Sequence, residues 1–346
     1  MKKIGLIGSV CLDRQSSSGQ AIRTTILYNA LINRYGEKSV FLVNTHNNSK
    51  HKVFTLLRSL ACIICCRDII VMVSSNGRRI YYPILYVASK LFGKRIYNNV
   101  IGGNFAEFVK SNPKAKKYVS SFAVNWIQMQ AQVDELKYLG FENVELLQNT
   151  KDVSALAVDD LVDYTCPIFK FCTFSRISVA KGIENAIDTI EKINRYAGET
   201  IATLDIYGIP DDDYIEQFHK KMEDVSEEVK YCGYIDYNRS IDVLKDYFAL
   251  LFPTTFFGEG FPGTVWDALA AGVPTIATNW RYNTEVVKDG ITGLVYDYHH
   301  PELLEERILY AISNREMMNA MKSNCIREAA QYSPDKVFPV VFKYFD

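Results

Sequence analysis

The stretch Phe248–Gly272, FALLFPTTFFGEGFPGTVWDALAAG, limits the possible folds more than any other part of this chain. Its apolar run FALLFP has the length and composition of a strand buried on both faces, as strands of parallel sheets are. Gly258, Gly260 and Pro262 then interrupt regular structure and let a ligand approach the backbone closely. From about Gly263 the pattern is helical, with Gly272 placed as the C-terminal cap and Pro274 just beyond it. A helix N-terminus at the carboxyl end of a strand has free N–H groups and a positive dipole end, so it favours phosphate. Two carboxylates border the same place, Glu259 in the loop and Asp267 one turn into the helix. They would repel phosphate alone. Sugar hydroxyls suit them better, because a carboxylate accepts two hydrogen bonds from a vicinal diol.

The Glu-Gly-Phe-Pro run at 259–262, with an acid eight positions after Glu259, resembles the signature of the family 4 retaining glycosyltransferases. The resemblance implies an α/β chain of the GT-B fold, two Rossmann-like domains whose parallel sheets face each other across a cleft. It places Glu259 beside the donor sugar and Asp267 on the nucleotide ribose. Gly260, Phe261, Pro262, Gly263 and Thr264 would line the donor between them. The family has Glu at the second acidic position, and Asp267 is shorter by about 1.5 Å. The structural alternative is a surface acid plus a first-turn acid that complements the helix dipole.

A length of 346 residues suits two domains. Short apolar runs alternate with helical patterns throughout, which implies parallel sheets. Met1–Val10 reads as a first strand, SSSGQAIRT as a loop, and Thr24–Tyr35 as the helix after it. Gly19, Gln20 and Arg23 in that loop are candidates to meet the donor diphosphate or the acceptor. Ser39–Asn44, Ile69–Ser74 and Arg95–Val100 read as further strands. The last one ends at a double glycine, where the family often has a sugar-touching histidine. Gly102 and Gly103 would there let an acceptor approach the backbone. The expected organisation is an acceptor-binding domain over residues 1–150, a linker over 151–167 and a nucleotide-sugar domain over 168–332. A tail over 333–346 is expected to pack back on the first domain.

In the second domain the strand KFCTFS delivers Arg176, and Lys181 follows at a helix start. A forked donor and a point charge at the mouth of a strand–helix unit suit an anionic leaving group. They resemble the family's diphosphate-binding pair; ordinary solvated surface cations are the alternative. The turn after Lys230–Gly233 resembles the one that holds the nucleotide base through backbone groups, which implicates Gly233, Tyr234 and Ile235. Where relatives often have two glycines this chain has Trp280–Tyr282, while Glu285 matches a commonly acidic position.

Charge is divided along the chain. Residues 1–150 hold 20 Lys and Arg against 8 Asp and Glu, leaving 19 against 32 of the totals of 39 and 40. A basic first half suits an anionic membrane surface or a diphosphate-bearing acceptor, although simple attraction between the halves would also account for it. The eight cysteines lie mostly in apolar runs, and the Cys62-x-x-Cys65 pair has no second pair or histidine to complete a metal site. The run VFTLLRSLACIICCRDIIVMV is broken by Arg58, Arg67 and Asp68, so it fails as a membrane span and reads as a helix then a strand. No signal peptide opens the chain, so a cytoplasmic protein is expected, with contact at the inner membrane face open.

These readings converge on an enzyme that moves a sugar from a nucleotide-sugar, most often UDP-linked, to a glycan or lipid-diphosphate-linked saccharide in surface-polysaccharide assembly. Arg176, Lys181 and Glu259 would be its catalytic residues. It needs no cofactor or metal, and nucleic acid is not a partner. The rivals are an epimerase or phosphorylase on the same fold, and a non-catalytic nucleotide-sugar-binding protein.

Overall fold

The apolar runs become strands of two six-stranded, all-parallel sheets, each in its own compact unit. The computed structural model describes residues 3–11, 19–45 and 52–346. Met1 and Lys2 of the expected first strand, and the Ser16–Ser18 part of the expected loop, lie outside the described residues. Contacts divide the chain into Met1–Asp152 with Tyr332–Asp346, and Val153–Gln331.

The first unit runs β1 (Ile4–Gly8), α1 (Gly19–Tyr35), β2 (Val40–Asn44), α2 (Lys52–Cys65), β3 (Asp68–Met72) and α3 (Ser75–Phe92). It continues through β4 (Arg95–Asn99), α4 (Phe105–Ser111), α5 (Pro113–Val119), β5 (Val124–Ile127), α6 (Gln130–Tyr138) and β6 (Val144–Leu146). The strand order β2-β1-β3-β4-β5-β6 reverses direction at β1, because β2 lies on one side of it and β3 on the other. In open α/β sheets a crevice forms at such a reversal, outside the carboxyl ends of the strands.

The second unit begins with β7 (Phe169–Phe174), α7 (Ile183–Ala197), β8 (Ala202–Tyr207), α8 (Ile215–Glu223), β9 (Val229–Gly233) and α9 (Ser240–Leu244). Then come β10 (Ala249–Phe252), α10 (Gly263–Ala270), β11 (Thr275–Thr278), α11 (Asn283–Val286) and β12 (Gly293–Tyr296). The helices α12 (Leu303–Ser313) and α13 (Arg315–Ala329) close it, and α14 (Pro334–Val337) and α15 (Pro339–Phe342) return to the first unit. The order β12-β11-β10-β7-β8-β9 reverses between β7 and β10.

The ALLF of FALLFP forms β10, every residue of it buried, and Gly272 follows α10 at φ 68°. The segment 153–167 packs on the second unit. Leu156 N–H donates to Ala270 O, and Tyr164 N–H to Asn319 Oδ1. The C-terminal residues lie in the first unit, where Asp346 pairs with Arg34 at 2.5 Å and Tyr344 OH donates to Glu145.

Two strands were not read from the sequence. The buried β5 contains Asn125, whose polarity breaks the apolar pattern but whose amide is held by Asn98, Val119 and Asn143. The other, β12, is four residues long and opens on Gly293, where a Cβ would stand 2.0 Å from Thr275 O.

Candidate functional site

The reversal between β7 and β10 gathers the residues singled out in the second half of the chain. Beyond β7 the chain passes Arg176 and forms a 3₁₀ turn at Val179–Lys181 before α7 begins, so Lys181 precedes the helix rather than opening it. Gly182 holds this turn at φ 71°, and a Cβ there would lie 2.4 Å from Pro253 O. Glycine is required twice over, by conformation and by the closeness of the β10 end.

That closeness locks the two strand ends together. Thr255 N–H donates to Ala180 O at 2.8 Å, and Thr278 Oγ1 donates to Thr254 O at 2.6 Å. The loop after β10 is held further by Glu259 N–H on Phe256 O and by Trp280 Nε1–H on the same carbonyl. Lys181 and Glu259 are thereby brought face to face, Nζ 2.5 Å from Oε2, with side chains 9% and 11% exposed. The Thr254 hydroxyl lies 3.2 Å from the same oxygen. Phe256 stands between the two cations, its ring centroid 5.2 Å from Lys181 Nζ and 5.3 Å from the Arg176 guanidinium.

Lys181 and Arg176 therefore differ in setting. Lys181 is buried against a carboxylate and two rings, whereas Arg176 is half exposed, with Asp211 Oδ1 3.5 Å away. An ammonium has three donors, and Glu259 uses one of them, so Lys181 can hold an anion while remaining paired. The first turn of α10 completes the arrangement. Its cap, Pro262, offers no side-chain acceptor to the N–H groups of Gly263 and Thr264, and Thr264 Oγ1 is a buried hydroxyl without a protein hydrogen-bond partner. Gly260, Phe261 and Pro262 are buried beneath this turn, and Asp267 is 3% exposed. Gly233, at φ 75°, ends β9, and exposed Tyr234 and half-buried Ile235 follow it along the same carboxyl edge.

Three contributors were not named from the sequence: Thr254, Phe256 and Asp211. The only local signal was the polar pair Thr254-Thr255 directly after a buried strand, a position where hydroxyls rarely serve packing alone. The loop at 280–282, where the resemblance leads one to expect glycines, has a glycine-like backbone, since Arg281 has φ 48° and stacks 4.6 Å from the Phe257 ring.

The first-unit candidates fare differently. Gly19, Gln20 and Arg23 lie in α1 and not in a loop, because the helix begins five residues earlier than its apolar periodicity indicates. Gln20 lines a cavity of about 300 Å³ at the β1–β3 reversal, together with Ser9, Thr45, Val73, Ser74, Gly77 and Tyr81. Arg23 is buried and donates to Leu147 O at 3.1 Å, tying α1 to the end of β6; burial lowers its pKa to about 9. That arginine serves the interior of the unit. Gly103 O accepts from Gln132 at 2.6 Å, and Gly102 N–H faces Gln128, so both glycines use their backbone groups within the protein.

The fold defines the class: two six-stranded parallel sheets with flanking helices, the architecture of the GT-B glycosyltransferases. Residues 169–328 match the family model described as glycosyl transferases group 1, which supports a glycosyltransferase. Among solved structures, HepE of Anabaena in complex with UDP superimposes with a TM-score of 0.74 at 15% identity, over 100% of this chain and 99% of that one. The lipopolysaccharide outer core galactosyltransferase WaaB gives 0.64 at 15% identity over 99% of both chains. Among curated relatives, the uncharacterized glycosyltransferase MJ1069 of Methanocaldococcus jannaschii is 22% identical over 156 residues, 45% of this chain and 39% of its own length. YtcC of Bacillus subtilis, provisionally named a glycosyltransferase, is 45% identical over 60 residues, 17% of this chain and 15% of its own. The chain thus matches well under half the length of these curated relatives.

Proposed function

We propose that this chain is a nucleotide-sugar-dependent retaining glycosyltransferase of the family 4 type, acting on a glycan or lipid-diphosphate-linked saccharide in surface-polysaccharide assembly. The observation that carries the reading is the buried Lys181–Glu259 pair beside the uncapped first turn of α10, at the reversal between β7 and β10. Cationic and N–H donors beside a carboxylate fit a ligand that is phosphate at one end and sugar at the other.

In this reading Lys181, Arg176 and the N–H groups of Gly263 and Thr264 stabilise charge developing on the leaving diphosphate. Glu259 orients the donor sugar, Asp267 takes the ribose, and Gly233, Tyr234 and Ile235 hold the base. UDP is the nucleotide of choice, since HepE was solved with it.

A thermal-shift panel of UDP-, GDP- and ADP-sugars tests the reading. A specific donor at a hundred times its Kd is expected to add about 2.7 kcal/mol of stability. A flat response to all three would overturn it. Product analysis with a saccharide acceptor then separates transfer from epimerisation, and binding without turnover identifies a sensor.

No Asp-x-Asp or other metal-ligand run adjoins the acidic motif in the sequence. Turnover is expected to persist in excess EDTA. Loss of activity that magnesium or manganese restores would contradict this.

A further inference from the structure

Helix α2 is apolar on both sides. Its inner side carries Cys62 and Ile63 into the core, with Cys66 just beyond its end. On the opposite side Val53, Leu57, Leu60 and Ile64 are 73, 60, 43 and 77% exposed. Their spacing of i, i+4, i+7 and i+11 is one continuous helical stripe. The neighbouring α3 repeats it, with Ile80, Val87 and Leu91 at 57, 45 and 73%. The two helices share one core cluster and touch through Ser59 Oγ and Tyr81 OH, 3.2 Å apart. Outward aliphatics gathered on two adjoining helices, rather than scattered singly, are the pattern of a docking face.

The charge around it is of one sign. Between Glu37 and Glu107 the single acidic residue is Asp68, which is buried in an ion pair with Arg95, whereas the same stretch holds ten Lys and Arg. Arg58 and Arg67 near α2, and Arg79 and Lys90 on α3, are exposed. A face of outward aliphatics fringed by cations, without an exposed carboxylate in the stretch, is the composition of an interfacial helix on anionic lipid. No described helix is long and apolar enough to cross a membrane, and α2 has 14 residues, so it would lie in the interface plane. A second copy fits less well, because an isologous contact would set the same cations against each other.

We propose that the α2–α3 face docks this protein onto an anionic lipid bilayer. The proposal is independent of the reading of the second unit. The test is co-sedimentation of the full chain with vesicles of phosphatidylglycerol and phosphatidylcholine, and with vesicles of phosphatidylcholine alone. Wild type is expected to bind the first and not the second. The variant L57E/I64E should bind at least about tenfold more weakly, with an unchanged circular dichroism spectrum. Should that variant fail to fold, L91E on α3 is expected to show the same loss and decides the matter. Wild type that stays in solution, or variants that bind as wild type does, would overturn the proposal. So would a wild-type dimer that L57E/I64E converts to monomer without vesicle binding, which would give the face to a second copy.

Discussion

Glu259 and Lys181 meet in a pair that is about nine-tenths buried, whereas Arg176 keeps half of its surface in solvent. The same substitution should therefore act differently at the two cations. Lys181→Ala leaves a buried carboxylate without its partner, a loss that costs about 3–5 kcal/mol. Arg176→Ala removes a half-exposed cation from a surface pair worth about 0–1 kcal/mol and should melt close to wild type. Both are expected to lower turnover at saturating donor, each by about 2.7–4 kcal/mol of barrier if it faces the leaving diphosphate. Turnover within threefold of wild type in both would remove them from the mechanism. Asp267 poses a separate question, because the signature it resembles has Glu there and because it is buried. If it accepts from ribose, Asp267→Asn loses about 1.5–3 kcal/mol per hydrogen bond to a charged group. Donor affinity by calorimetric titration should then fall roughly ten- to a hundredfold. An unchanged Kd would leave Asp267 as a helix acid worth about 0.3–1 kcal/mol.

Among the elements, the turn from β7 into α7 carries the site. Lys181 is followed by Gly182, whose left-handed backbone lies so close to the Pro253 carbonyl that a Cβ there would clash with it. Gly182→Ala should cost about 2–4 kcal/mol, from the left-handed conformation and the overpacking together. It should also lower turnover by displacing Lys181. A variant with wild-type melting temperature and turnover would show that the turn tolerates a side chain. Helix α10 contributes through its open first turn, and α1 through Gln20 at the first-unit cavity.

Across the whole molecule, buried phenols tie stability to alkaline pH. Burial pushes the pKa of Tyr97, Tyr164 and Tyr207 up to about 12 from 10.0. Tyr97 stacks on Trp126, Tyr164 OH donates to Ile168 O, and Tyr207 OH bonds with Tyr247 OH. A raised phenol pKa means that the folded state keeps protons which the unfolded chain has already lost. Their contribution is complete below pH 10 and disappears as pH rises from 10 to about 12. The unfolding midpoint in urea should fall over that window, and the part of the tyrosinate absorbance owed to these three phenols should appear late, with unfolding, after that of the solvent-exposed tyrosines. A midpoint unchanged between pH 10 and 12 would contradict this.

The sequence alone determined what depends on neighbouring residues. Alternating apolar runs specified parallel strands and helices. Gly258, Gly260 and Pro262 marked the loop, and the Glu259–Asp267 spacing pointed to phosphate next to sugar, because turn chemistry and helix ends act over a few residues. Only the tertiary structure decided what depends on strand order. It brought Lys181 to Glu259 across 78 positions, and buried Arg23 against Leu147 across 124. It recruited Thr254, Phe256 and Asp211, and admitted Asn125 to a buried strand by satisfying its amide. It also exposed the outward stripe of α2, which by its apolar residues alone could equally have been core. Periodicity records that a side chain is apolar or charged; the sheet topology alone determines which partner it meets.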